Sequence, residues 1–197
     1  YMTKMLVATQ NEHKLKEFNK ILNHEQIKLV SLKDLNDKDD VIEDGTSFLE
    51  NATLKACYFA KKHQMITISD DSGLVVEALN GRPGIHSARY SNGGDHENNL
   101  KVLKEMENME NRKSHFVSVI VLCYPNGRVK SYEGKVFGYL AQSERGLNGF
   151  GYDSIFYVPE YQKTFGELES SIKNQISHRA NALKLLKEDI DEIVNNK

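Results

Sequence analysis

No stretch of the chain approaches the ~20 consecutive apolar residues that span a bilayer, and no secretory leader is visible in it. A soluble cytoplasmic protein with no membrane partner is expected. A basic excess is missing too. Lysine and arginine number 26 against 28 aspartates and glutamates, a formal charge of −2. The global positive field of a nucleic-acid binder is therefore absent, and a polyanionic ligand would need local cations. Cysteine is scarce: Cys57 and Cys123 are far apart and fit neither a metal-ligand spacing nor a disulfide framework. They are expected as separate, buried, reduced thiols. There are only three prolines, with no internal repeat and no low-complexity linker. What remains is ordinary globular material, 39% hydrophobic and 27% charged. Its 197 residues suffice for one α/β domain or two small lobes sharing a cleft. Met2 is read as the natural start and Tyr1 as a cloning remnant, giving a domain over 2–197.

The apolar run KMLVAT, residues 4–9, predicts a buried strand. It leads through Gln10 and Asn11 into a helix with Leu15, Phe18, Ile21 and Leu22 at helical spacing, and Asn11 is a natural N-cap. A second strand over 27–32, an acidic loop over 34–45 and a helix over 47–63 follow. A third strand over 65–69 is expected to end at Asp70 and Asp71, before a turn at Ser72 and Gly73. Then come a helix over 97–109, a hairpin of 116–124 and 128–136 about Pro125-Asn126-Gly127, a strand over 154–158 and an amphipathic tail helix over 177–194. Helices, strands and hairpin interleave, which predicts a mixed α/β fold with a curved sheet.

Four segments and one lysine carry candidate chemistry. Thr9, Gln10 and Asn11 with Lys14 place a helix N-terminus and a cation where an anion could bind, although a capped helix with a solvated lysine reads the same way. Glu43, Asp70 and Asp71 offer oxygen ligands for a hard cation, or only a solvated turn. In GFGYDSIFYV the glycines around Phe150 and Tyr152 let backbone and rings approach a flat ligand, unless the rings are simply core. Lys173, Ser177, His178 and Arg179 crowd positive groups at a helix start, which is unfavourable without an anion. Lys55 follows the acidic loop, and a surface lysine is its plain alternative.

In this order, TQNEHK, SFLENATLKA, SDDSGLVVEALNGRPGIHSARYS, GFGYDSIFYVP and QISHR resemble the inosine/xanthosine triphosphate pyrophosphatase family over nearly the whole chain. The resemblance implies an elongated α/β fold, a mixed curved sheet with flanking helices and two lobes around a central cleft, as a homodimer. It implies hydrolysis of ITP, dITP and XTP to monophosphate and pyrophosphate with Mg²⁺. By the same resemblance Asp71 is the proton acceptor and a metal ligand, and Glu43, beside Asp44, is a second ligand. Thr9, Gln10, Asn11, Glu12, His13, Lys14, Lys55 and Ser72 fall on the triphosphate positions. Phe150, Gly151, Tyr152, Asp153, Lys173, His178 and Arg179 fall on those for base and sugar-phosphate. Three positions depart from the family pattern. Gln10 replaces a glycine and would be strained if the backbone there needs φ > 0; Ser69 and Ser154 stand where alanine and proline are usual.

Charge gives this a mechanism. Mg²⁺ screens the triphosphate, Lys14, Lys55 and Lys173 add counter-charge, and Asp71 activates water for attack at the α-phosphorus. Hypoxanthine and xanthine present a 6-oxo acceptor where adenine has an amino group, so donors such as Arg179 or a backbone N–H near Phe150 would discriminate. The alternatives are a pyrophosphatase for modified pyrimidine triphosphates, as in the Maf-like family, and a non-catalytic nucleotide-binding module.

Overall fold

A computed structural model describes residues 2–196; Tyr1 lies outside them, as does Lys197 at the end of the expected domain. The chain divides into two compact units. The first takes the chain up to Asp71, Ser118–Gly134 and the chain from Arg179 onward; the second takes Ser72–Val117 and Lys135–His178.

The first unit opens with β1 (Thr3–Val7), α1 (Glu12–Ile21), β2 (Ile27–Ser31) and α2 (Phe48–His63). Three strands contribute to both units: β3 (Thr67–Val76), β4 (Lys113–Cys123) and β5 (Val129–Leu140). The second unit adds α3 (Asp95–Glu105), β6 (Phe156–Val158), β7 (Lys163–Thr164) and α4 (Ser170–Ile176). Of the closing helices α5 (His178–Glu188) and α6 (Ile190–Asn195), all but His178 belong to the first unit. The seven strands form one sheet in the order β2-β1-β3-β4-β5-β6-β7. The α/β class holds.

In the first unit β1 runs parallel to β2 and to β3, with Met5 opposite Leu29 and Leu6 opposite Thr67. Met5, Leu6 and Val7 are all buried, because a parallel strand is covered on both faces. One face packs with Phe18, Ile68, Ile120 and Leu183, the other with Leu32 and Phe59. The second unit has its own core of Leu74, Val102, Phe116, Phe156 and Phe165. There Phe156 lies 4.5 Å from Phe116 and 5.2 Å from Phe165, centroid to centroid.

Some expectations need correcting. The strand expected to stop at Ser69 begins at Thr67 and continues to Val76, so Asp70, Asp71 and Ser72 are strand residues. Gly73 keeps an ordinary φ, and burial of Leu74 and Val76 carries the chain on extended. The helix expected over 97–109 starts at Asp95 and ends at Glu105. The tail is broken twice: Ser177 is extended (φ −68°, ψ 164°) between α4 and α5, and Asp189 separates α5 from α6. Lys173 therefore lies within α4 rather than ahead of one long helix. The two cysteines are not separate thiols. Cys57 on α2 and Cys123 at the end of β4 are joined as a disulfide, with Cα atoms 5.3 Å apart across 66 residues of sequence. Packing of α2 in the first unit brings them together, which sequence spacing does not reveal.

Candidate active site

The candidate residues fall into two groups, one in each unit. In the first unit, β1 delivers the chain to the start of α1. Asn11 has extended backbone and its Oδ1 accepts from the N–H groups of His13 (3.0 Å) and Lys14 (3.2 Å). Two first-turn donors are thus taken by the cap, and Asn11 N–H donates to Thr9 Oγ1 at 3.1 Å. Glu12 is exposed at the head of α1, as is His13. Gln10 has no positive φ, so the strain considered for it is absent. Its Nε2 instead reaches the carbonyl oxygens of Asp37 (3.4 Å) and Asp39 (3.3 Å) in the acidic loop.

Successive side chains of a strand point to opposite faces, and Asp70 and Asp71 part accordingly. Asp70 is enclosed by cations. Arg179 reaches its Oδ2 through Nε at 3.1 Å and Nη2 at 3.0 Å, Lys14 Nζ lies 3.2 Å from Oδ1, and Ser118 Oγ donates to Oδ2 at 3.3 Å. Burial pushes the Asp70 carboxyl up, but Arg179, Lys14 and Lys55 together hold it far below the ordinary range. Arg179 is 1% exposed and also pairs with Glu17. Burial lowers the Lys14 ammonium, and Asp70 opposes that shift.

Asp71 meets a different environment. Its Oδ2 accepts from Asn51 Nδ2 at 3.2 Å. Burial raises its pKa first of all; Lys55 works against this, Glu43 and Asp70 add to it, and the carboxyl is pushed up to about 6. Lys55 joins the neighbouring segments, with Nζ 3.2 Å from Glu43 Oε1 and donating to the Asp70 carbonyl at 2.7 Å. Of the two adjacent carboxylates, one is held ionised by the cations around it and the other is pushed up to about 6.

In the second unit, Ser72 continues β3. The segment after Gly149 (φ 74°) folds on itself: Phe150 N–H donates to Asp153 Oδ2 (3.1 Å) and Gly151 N–H to Asp95 Oδ2 (2.8 Å). These two amides are thereby engaged. Tyr152 turns into the core, its hydroxyl donating to the Ser87 carbonyl at 2.6 Å. Asp153 forms a buried ion pair with Lys173 Nζ at 2.6 Å, and that ammonium lies 4.6 Å from the Phe150 ring centroid. His178 stacks on Phe116 with centroids 4.8 Å apart. Beside the segment lies a cavity of about 420 Å³ lined by Asp95, Asn99, Glu144, Asn148, Phe150 and Asp153, within the range of small-molecule sites. The cationic cluster expected at the tail helix therefore resolves into individually partnered side chains, Lys173 with Asp153 and Arg179 with Asp70 and Glu17.

Residues 5–189 match the Ham1 family. The chain belongs to that family. A dITP/XTP pyrophosphatase of Geobacter sulfurreducens is 45% identical to it over 193 residues, covering 96% of this chain and 97% of the relative. One from Listeria innocua is 42% identical over 197 residues, covering 98% and 97%. The solved Ham1 protein of Staphylococcus aureus superposes with a TM-score of 0.87 at 41% identity, covering 96% of this chain and 99% of that one.

Sequence reasoning missed three residues of this Ham1 chain. Glu17 is buried and shares Arg179 with Asp70. Ser118 reaches Asp70 from β4. Asn51 holds Asp71, and here a signal existed: Asn51 stands four residues before Lys55, on the same face of α2.

Proposed function

We propose that the chain hydrolyses ITP, dITP and XTP to the monophosphate and pyrophosphate, with Mg²⁺ held by Asp71 and Glu43. The observation that carries this reading is the parting of the two carboxylates. Asp70 is committed to Arg179 and Lys14, whereas Asp71 retains a proton affinity near neutrality, the property wanted in a general base. The donors fit the cation. Glu43 and Asp71 are hard oxygen ligands, and Glu43 raises the proton affinity of Asp71, so a positive charge there is favoured. Among the described residues no three His, Cys, Asp or Glu side chains gather to hold a metal unaided. Mg²⁺ characteristically needs only one or two carboxylates with waters and substrate phosphates. When bound it screens the triphosphate and acidifies water.

The chain's own groups do the rest. Asp71 orients the attacking water and takes its proton. The water oxygen bonds to the α-phosphorus, and the bond from that phosphorus to the bridging oxygen breaks, releasing pyrophosphate. Lys14 and Lys55 supply positive charge for the phosphates beside Thr9, Gln10, Asn11, Glu12, His13 and Ser72. Phe150, with its ring over Lys173, offers a face for the purine, and Gly151, Asp153 and His178 complete the base and sugar positions. Tyr152 supports the segment from the core, and Arg179 serves charge balance around Asp70 and Glu17.

The chain is further proposed to act as a homodimer in the cytoplasm, where nucleotide pools are drawn on for polymerisation. Exposed Phe137 and Tyr139 on β5 support a partner surface. The near-neutral charge supports a small-molecule substrate over nucleic acid, and among the described residues no helix is long and apolar enough to cross a membrane. The test is a panel of nucleoside triphosphates with pyrophosphate and orthophosphate measured separately. ITP, dITP and XTP should yield pyrophosphate much faster than ATP or GTP. Sequential orthophosphate release, or preference for a modified pyrimidine, would overturn the reading.

A further inference from the structure

We infer that Asn51 is a positioning residue that sets the relation between the two proposed cation ligands, Asp71 and Glu43. The inference rests on the cation reading above and concerns how the chain builds that site. The side chain of Asn51 is 2% exposed, and its amide is divided between two segments. Nδ2 donates to Asp71 Oδ2 at 3.2 Å, while Oδ1 accepts from the Gly45 N–H at 2.9 Å. Gly45 is two residues beyond Glu43 in the acidic loop. One buried amide thus ties the strand that carries one carboxylate to the loop that carries the other.

The surroundings are built for that tie. A Cβ on Gly45 would lie 2.7 Å from Glu50 Cβ and 2.8 Å from Asn51 Oδ1, so any larger residue must push the loop away from the amide. Just past it, Thr46 N–H donates to Glu50 Oε2 at 2.7 Å, and Ser47 Oγ accepts from Glu50 N–H at 3.1 Å. These bonds fasten the loop end to the first turn of α2. One turn on from Asn51, Lys55 closes the other side by pairing with Glu43 at 3.2 Å.

The choice of asparagine follows from hydrogen-bond chemistry. The position needs one donor, toward a carboxylate, and one acceptor, toward a peptide N–H, and a neutral amide supplies both at once. Aspartate would set an acceptor against Asp71, and serine is too short to span both partners. A donor to a ligating carboxylate fixes its orientation, and removing such a group typically costs about 10–100-fold in metal affinity.

The probe is Mn²⁺, titrated against the full chain without nucleotide and followed by electron paramagnetic resonance of the free ion. Asn51→Ser should bind Mn²⁺ about 10–100-fold more weakly than wild type. Its Mg²⁺ activation curve for ITP hydrolysis should move to higher concentration by a similar factor, with turnover recovering at high Mg²⁺. Gly45→Ala, which leaves Asn51 in place, should shift both curves in the same direction, and it decides the question alone if Asn51→Ser does not fold. A purely structural role would lower the melting temperature and leave the Mn²⁺ affinity of the folded protein unchanged. Affinity within twofold of wild type in the folded variants overturns the inference. Absence of Mn²⁺ binding by the wild type overturns the cation reading first, and this inference with it.

Discussion

Two nitrogens of Arg179 converge on a single oxygen of Asp70, Nε at 3.1 Å and Nη2 at 3.0 Å, across 109 residues of sequence. Asp71 follows directly on the strand yet accepts from the neutral amide of Asn51. One carboxylate is therefore part of a buried charge network, and its neighbour stands outside those pairs.

Substitution should separate the two. Asp71→Asn keeps size and hydrogen-bonding capacity, so the fold should survive and ITP should still bind. Turnover should fall at least ~100-fold, because the substitution removes the proposed metal ligand and the proposed proton acceptor together. Asp70→Asn should act chiefly on stability, since it removes the counter-charge that Asp70 supplies to both Arg179 and Lys14. Turnover, calorimetric ITP binding and a melting curve for each variant check this. Near-full turnover in Asp71→Asn with a dead but stable Asp70→Asn would reverse the roles.

His178 and Arg179 are adjacent in sequence and should behave differently. Arg179→Ala breaks buried pairs with Asp70 and Glu17, which typically costs about 3–5 kcal/mol, so activity on ITP and ATP should fall in proportion as the protein melts earlier. His178→Ala, in a stacked position on Phe116, should narrow the gap between ITP and ATP. Specificity ratios measured below the melting transition distinguish the two outcomes.

Much of this was legible in the sequence. The run of 4–9, the Asn11 cap, the long helix after the acidic loop and the Pro125-Asn126-Gly127 hairpin are local features, and each appears within a few residues of its expected place. The rest depends on partners distant along the chain. The pair Asp70-Asp71 looks like a strand end because the next residues are serine and glycine; only burial of Leu74 and Val76 shows that the strand goes on. Arg179 reads in the sequence as a cation at a helix start, and its pairing with Glu17, 162 residues away, is visible only in the fold. Tyr152 has the spacing of a ligand-facing ring, but its hydroxyl is spent on the Ser87 carbonyl.

The raised pKa of Asp71 carries a sign that can be tested without substrate. Its folded value is about 6 against an ordinary 3.8, so the folded state holds this proton more tightly than the unfolded state. The associated stability is fully present below 3.8 and is lost as pH rises through about 6. In chelator, Asp71→Asn should melt above wild type on the alkaline side of that window, and the two should converge on the acid side. Mg²⁺ at neutral pH should raise the wild-type midpoint and leave that of Asp71→Asn almost unchanged. A constant difference across the range would mean that Asp71 does not titrate there.

Lys173 should show its value through Asp153 and Phe150. The pair is buried at 2.6 Å with the ammonium 4.6 Å from the ring centroid. Lys173→Met removes the charge and leaves Asp153 without that partner, so the Phe150 segment should loosen. KM for ITP should rise more than kcat falls, and amide exchange over 149–153 should quicken. Unchanged exchange with an unchanged KM would take Lys173 out of substrate binding.

The most direct measurement follows oxygen. ITP turned over with Mg²⁺ in ¹⁸O-labelled water and read by ³¹P nuclear magnetic resonance reports which phosphorus the water attacks. Attack at the α-phosphorus, with water activated by Asp71, predicts one ¹⁸O in each inosine monophosphate, unlabelled pyrophosphate and no orthophosphate. Label in the pyrophosphate, or orthophosphate as a primary product, would contradict the account.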